Sequence, residues 1–159
     1  RYVDQEIEFS MHNHNEIRQN INLLLESFAD ADTRVIKDLN GDLMVELDEI
    51  YFDYNSSQIR ADAAATLNVL VELMKKYPSM RIEIGSHTDA RGNDQFNLEL
   101  SKLRAASALE YLVSQGIDRK RLTGVGYGET QPLNKCTEEG VCKEEEYDVN
   151  RRCEFKILN

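Results

Sequence analysis

The chain has 159 residues, 41% hydrophobic and 30% charged, the profile of one globular domain with a core and room for an appendage. Its formal net charge of -10 argues against nucleic acid and anionic membrane surfaces as partners, because both reward a positive footprint. No apolar run approaches the roughly 20 residues that cross a bilayer, so direct membrane insertion by this segment is not expected. The first residue is Arg1 and not Met, which suggests a mature fragment or a piece of something longer.

In the polar N-terminal stretch Ile17, Ile21, Leu24, Leu25 and Phe28 recur at helical spacing, so residues 1–33 read as a linker or an amphipathic helix. His12 and His14 stand there without sequence partners and receive no role. From Arg34 a folded domain is expected to run to Asn159. RVIKDL and LMVELDEIYFD flank Asn40-Gly41, a hairpin signal. Ile59 to Tyr77 carries Leu67, Leu70, Val71 and Met74 on one helical face, and Pro78 stops it. Met80, Ile82 and Ile84 alternate with polar residues as in a strand. A second helix is expected from Asp94 or Asn97 to Gln115, with Gly116 as its stop. A short strand follows at Leu122 to Val125, then the glycines of GVGYGE, a disordered-looking acidic loop, and a last strand in CEFKIL. Strand and helix alternating in this order, β-α-β-α-β-β, predict an α/β (α+β) sandwich: a mixed sheet with helices on one or both faces.

Cys136 and Cys142 bracket a short polar loop containing Gly140. A disulfide there would stabilise by roughly 2 kcal/mol and would imply an oxidising compartment. The alternative is a metal site, which lacks a recognisable set of four ligands nearby. Cys153 sits in an alternating segment and reads as a small buried apolar residue.

The densest chemistry lies in GSHTDARGNDQFNLELSKLRA, where His87, Thr88, Asp89, Arg91, Asn93, Asp94 and Asn97 crowd around Gly92. Loops that lead from a strand end into a helix are where such sheets hold ligands. Asn97 and Arg104 share one helical face two turns apart, with Leu100 between them. Asp89 could meet Arg104 on that face. An acid and a guanidinium placed together bind a zwitterion, one taking the ammonium and the other the carboxylate. A structural salt bridge between the two, with Asn97 capping the helix, is the plainer alternative on spacing alone.

HTDARGNDQFNLELSKLRA resembles the signature of the OmpA-like C-terminal domain, a peptidoglycan-binding module of outer-membrane proteins, peptidoglycan-associated lipoproteins and flagellar stator proteins. IYFDYNSSQIR resembles that family's first strand and turn, RLTGVGYGETQP its third strand and following loop, and NRRCEFKI its final strand. The resemblance implies a periplasmic domain of an outer-membrane protein that holds the outer membrane to the cell wall, without catalysis or cofactor. Its partner would be peptidoglycan, gripped non-covalently at the diaminopimelate of the peptide stem. Asp89 matches the family's aspartate for the ligand ammonium and Arg104 its arginine for the carboxylate. Thr88, Asn97 and Leu100 match positions lining the pocket; Asp53, Arg151 and Arg91 fall at its rim. His87, Gly92 and Asn150 correspond to a loop hydrogen-bonder, a backbone turn and a strand anchor. The KCTEEGVCKEEEYDVNRR insert is longer and more acidic than a minimal family loop. It resembles the version found in Bacteroidetes outer-membrane proteins, and because it leads into Asn150 and Arg151 it is expected beside the pocket.

Two other functions stay open. A metal-assisted hydrolase of cell-wall peptides would use His87 and Asp89, although a catalytic zinc needs three protein ligands and no nucleophile with a partnered base is evident. A structural or oligomerisation domain would use the N-terminal helix to join copies of the chain.

Overall fold

A computed structural model describes residues 35–37, 40–53 and 55–158. The N-terminal helical pattern, His12, His14 and the proposed boundary near residue 33 lie outside the described residues. Among the described residues five strands form one sheet in the order β1-β2-β5-β3-β4. Strands β1 (Val35–Lys37) and β2 (Leu43–Val45) make the expected antiparallel hairpin. Its turn uses Gly41 at φ 85°, a conformation that costs glycine nothing.

The hairpin's second strand is shorter than its pattern suggests. It ends at Val45, and the segment from Glu46 to Arg60, which includes the IYFDYNSSQIR stretch expected to supply a strand and turn, holds no strand among its described residues. Its alternation fails because Glu46, Asp48 and Glu49 interrupt it. Ile50 is buried while Tyr51 is half exposed. Two carbonyls of this segment are met by a side chain: Arg104 donates to Ser56 O at 3.0 Å and to Asp53 O at 3.4 Å, the latter also accepting from Ser56 N at 3.1 Å.

Helix α1 (Ala61–Lys76) buries Leu67, Leu70, Val71 and Met74, the face read from the sequence. Asp62 lies in its first turn and Lys75 and Lys76 in its last, the charge order that complements the helix dipole. Its end is capped from a distance, since Arg121 donates to Met74 O in the last turn, to Tyr77 O at the C-cap and to Met80 O in the following turn, at 2.7 to 2.8 Å.

Strand β3 (Arg81–His87) lies inside the sheet, antiparallel to the central β5 (Cys153–Leu158) and parallel to the edge strand β4 (Leu122–Gly128). Ile82, Ile84, Phe155 and Ile157 are buried, whereas Glu83, Glu154 and Lys156 on the alternate positions are not. The sheet therefore has one face in the core and one polar face.

Helix α2 (Asp94–Ser114) begins at the earlier of its two expected starts. Asn93 is the cap, its Oδ1 accepting from Phe96 N at 3.1 Å, which frees Asn97 for another task. The helix ends before Gly116, at φ 93°. Its buried face changes character along its length. Asn97, Ser101 and Arg104 occupy the first half, and Ala105, Ala108, Leu109 and Leu112 the second. The second half builds core, and the first builds a site. Gly126 sets how closely α2 approaches the sheet: a Cβ there would fall 2.3 Å from Lys102 N.

The stretch after β4 is more ordered than its acidic composition suggests. Cys136 and Cys142 are joined in a disulfide with Cα atoms 5.8 Å apart, and a short helix α3 (Glu144–Asp148) follows. Tyr147 of α3 is buried, its hydroxyl donating to Glu138 O. Asn150 accepts from Leu133 N at 2.8 Å and donates to Asn134 Oδ1 at 2.9 Å, so it anchors this loop and not a strand.

Candidate functional site

Beyond the carboxyl end of β3 a cavity of about 680 Å³ opens between the HTDARG turn, the start of α2, the segment after β2 and the insert. The turn is fixed by backbone. Thr88 N donates to Gly128 O at 2.9 Å, His87 N to Arg152 O at 2.9 Å, and Gly92 turns the chain at φ 96°. Asn97 then ties the turn to the helix. Its Nδ2 donates to Arg91 O at 3.0 Å, Asp89 O at 3.3 Å and Glu129 Oε2 at 2.6 Å.

Asp89 and Arg104 both line the cavity and both are more than nine-tenths buried. They are not paired with each other. Asp89 accepts from Arg91 at 2.9 Å and from Arg151 at 2.6 Å. Arg104 is held by the two carbonyls of the 50s segment and lies over the Phe52 ring, 5.0 Å from its centroid. Both the direct meeting expected from helix geometry and the plain salt bridge are therefore corrected to two groups anchored separately on one cavity. The reason is local: Arg91 and Arg151 reach Asp89, from the same turn and from the residues just before β5.

Burial alone would raise the Asp89 carboxyl, but the donors on Arg91 and Arg151 outweigh it and hold it below its usual range. Burial pulls Arg104 down from its usual value, partly offset by Asp89. Glu144, the first residue of α3, faces the same two arginines, at 2.7 Å from Arg91 and 2.8 Å from Arg151. Asp148 also contacts Arg151. The hydrogen bonds from Arg91 and Arg151 lower Glu144.

Thr88 and Leu100 line the cavity, and Thr88 Oγ1 is buried without a hydrogen-bond partner. Asp53 departs from expectation. Its carboxylate is exposed and pairs with Arg60 at 2.9 Å, so only its carbonyl serves the site. His87 departs too: its imidazole does not hydrogen-bond the loop, although its backbone N–H does. Its ring stacks on Tyr127 with centroids 4.9 Å apart, and Nε2 stands 3.4 Å from Glu154 without a well-formed hydrogen bond. His87 and Asp89, which a hydrolase would bring together on a metal, thus engage different partners. Among the described residues the one cluster with metal-ligand spacing is Cys136, Cys142 and Glu146, whose sulfurs are bonded to each other.

Cys153, expected as a small buried residue, is mostly buried but lines the cavity instead of filling the core. Burial of its thiol nevertheless pushes the pKa up to about 11. Sequence reasoning passed over Glu144, Arg121 and Phe52. Glu144 lies in a run of three glutamates, and nothing in the run marks which one reaches back 53 residues to Arg91.

Fold and site together define a two-layer α/β domain with a mixed-charge cleft at a strand-to-helix turn. Residues 51–145 match the OmpA family model, and the chain belongs to that family. It is 43% identical over 89 residues to a peptidoglycan-associated lipoprotein of Rhizobium meliloti, covering 56% of this chain and 51% of that protein. The chain thus spans about half the length of this curated relative. Among solved structures it resembles the peptidoglycan-associated lipoprotein of Burkholderia pseudomallei, with a TM-score of 0.61, 25% identity, and coverage of 69% of this chain and 89% of that one. A putative MotB-like protein of Desulfovibrio vulgaris aligns with a TM-score of 0.64 and 26% identity, over 90% of this chain and 91% of the other.

Proposed function

We propose that this domain binds peptidoglycan non-covalently, through the diaminopimelate of the peptide stem, and so anchors an outer membrane to the cell wall from the periplasm. The observation that carries the proposal is the placement of Asp89 and Arg104 on one cavity. The free end of a diaminopimelate side chain bears an ammonium and a carboxylate on a single carbon. Asp89 offers a carboxylate to the first, and the Arg104 donors not used by Ser56 O and Asp53 O are available to the second. Leu100 supplies apolar contact for the methylene chain, and Thr88 Oγ1 a polar group in need of a partner. Family membership and the names of the lipoprotein relatives support the same partner. No covalent step is involved.

Pull-down on purified sacculi tests this. Wild type should sediment, and Arg104→Ala should not, with circular dichroism unchanged; retained sedimentation by that variant overturns the role of Arg104. We assign residues 34–159 to the domain and 1–33 to a linker or amphipathic helix. Sizing the chain with and without residues 1–33 tests whether that helix joins copies.

A further inference from the structure

Asp89, Arg91, Glu144 and Arg151 form a closed ring of alternating charge at the cavity wall. Around it the separations are 2.9 Å from Asp89 to Arg91, 2.7 Å from Arg91 to Glu144, 2.8 Å from Glu144 to Arg151 and 2.6 Å from Arg151 to Asp89. Three members come from the turn and the approach to β5. The fourth, Glu144, comes from the insert.

Without Glu144, two guanidinium groups would face one carboxylate. The local charge would be positive and the remaining acceptor capacity of Asp89 would carry little attraction for a cation. With Glu144 the four charges cancel, and Asp148 on Arg151 adds a further negative charge. Glu139, also from the insert, lines the same cavity. The balance of the wall therefore turns on the insert and not on the turn that carries Asp89.

The position of Glu144 is built, not incidental. The Cys136–Cys142 disulfide closes the loop before α3, Tyr147 is buried beneath it, and Arg91 lies over the Tyr147 ring, 4.6 Å from its centroid. Asn134 Nδ2 donates to Glu146 O at 2.7 Å. These contacts hold the carboxylate of an exposed residue against two arginines at once.

We propose that Glu144 is a specificity-determining residue: by drawing the charge of Arg91 and Arg151 away from Asp89, it makes the cavity select stem peptides whose side-chain amine is free over those whose amine is acylated. Acylation, whether by cross-linking or by acetylation, removes the ammonium and leaves the carboxylate. A ligand so modified keeps its contact with Arg104 and loses the one that Glu144 protects. This inference rests on the diaminopimelate reading above.

The test measures affinity by calorimetric titration for a stem tripeptide whose diaminopimelate side-chain amine is free and for the same tripeptide with that amine acetylated, in wild type, Glu144→Gln, Asp148→Asn and Arg104→Ala. Wild type should prefer the free amine, and Glu144→Gln should reduce that preference by about tenfold, the scale of one charge-assisted contact. Asp148→Asn, outside the ring, should reduce it less. Thermal melts of the two acid variants should superimpose on wild type, because both side chains are exposed. A preference unchanged in Glu144→Gln, with binding still lost in Arg104→Ala, overturns the role of Glu144 and leaves the parent proposal standing. Absence of binding by wild type to either compound overturns both.

Discussion

Asp89 and Arg104 face one cavity without touching: the first is clasped by two arginines and the second by two backbone carbonyls. Paired with each other they would satisfy a single contact between them; here Glu144 shares the two arginines that hold Asp89, and Arg104 meets only neutral carbonyls. Held apart on separate supports, each keeps capacity for a third party. Separate anchoring also makes the two groups independent targets for mutation.

Asp89→Asn removes the charge while keeping the shape. It should reduce sedimentation with sacculi at least tenfold, as expected for losing one charge-assisted contact. Near-wild-type sedimentation by a folded variant would place the ammonium contact elsewhere.

Acid should weaken this site in a defined window. The folded-state pKa of Asp89 lies below its ordinary value of 3.8, so the unfolded chain takes up a proton first as pH falls. The stability that Asp89 contributes is therefore fully present above about pH 4 and is lost as pH drops through the folded value. Melting temperature followed from pH 7 to pH 2 should be flat at first and decline below about pH 4, and Asp89→Asn should remove part of that decline. An equally steep decline in the variant counts against Asp89.

Arg121 is expected to matter to the fold and not to the ligand. Its guanidinium is the remote cap of α1 and meets three carbonyls. Arg121→Ala should cost about 1.5 to 3 kcal/mol in a urea titration, the range for hydrogen bonds to a charged group, with sacculus binding unchanged at low temperature. A loss under 0.5 kcal/mol, the scatter of ordinary surface changes, would show that water replaces it.

Gly126→Ala should be among the most damaging single-methyl additions. The new Cβ would meet the Lys102 backbone at 2.3 Å, and neither β4 nor α2 can yield without moving the other. Because α2 also carries Asn97 and Arg104, the variant should lose stability, by about 1 to 3 kcal/mol, together with ligand affinity. Gly41→Ala is a useful contrast: its Cβ meets no neighbour, and its cost comes from φ alone.

The periodicities were legible in advance. Leu67, Leu70, Val71 and Met74 fall on one side of a 3.6-residue repeat and Ile82 and Ile84 on one side of a two-residue repeat, and each set is buried. Cys136 and Cys142 were close enough along the chain to be read as a pair. The turn carrying Asp89 announced itself by composition, since seven polar side chains exceed what a connection needs.

Misread features share a different origin. Cys153 has the alternation of a core residue and yet lines the cavity, beside Arg104, Arg152 and Ser86. The segment from Glu46 onward has strand-like stretches, but among its described residues it forms no strand, and Arg104 meets two of its carbonyls, Asp53 O and Ser56 O. Asp53 and Arg60 pair locally, which turns an expected rim carboxylate outward.

Sequence alone thus determined the elements, their buried faces and the residue types of the cleft, because these follow from short-range spacing and from the chemistry of individual side chains. Tertiary structure alone decided the partners: Arg91 and Arg151 on Asp89, backbone carbonyls on Arg104, and Glu144 closing the ring from 53 residues beyond Arg91. Which charges meet depends on distances set by the packing of helix, sheet and insert, and no local pattern along the chain encodes those distances.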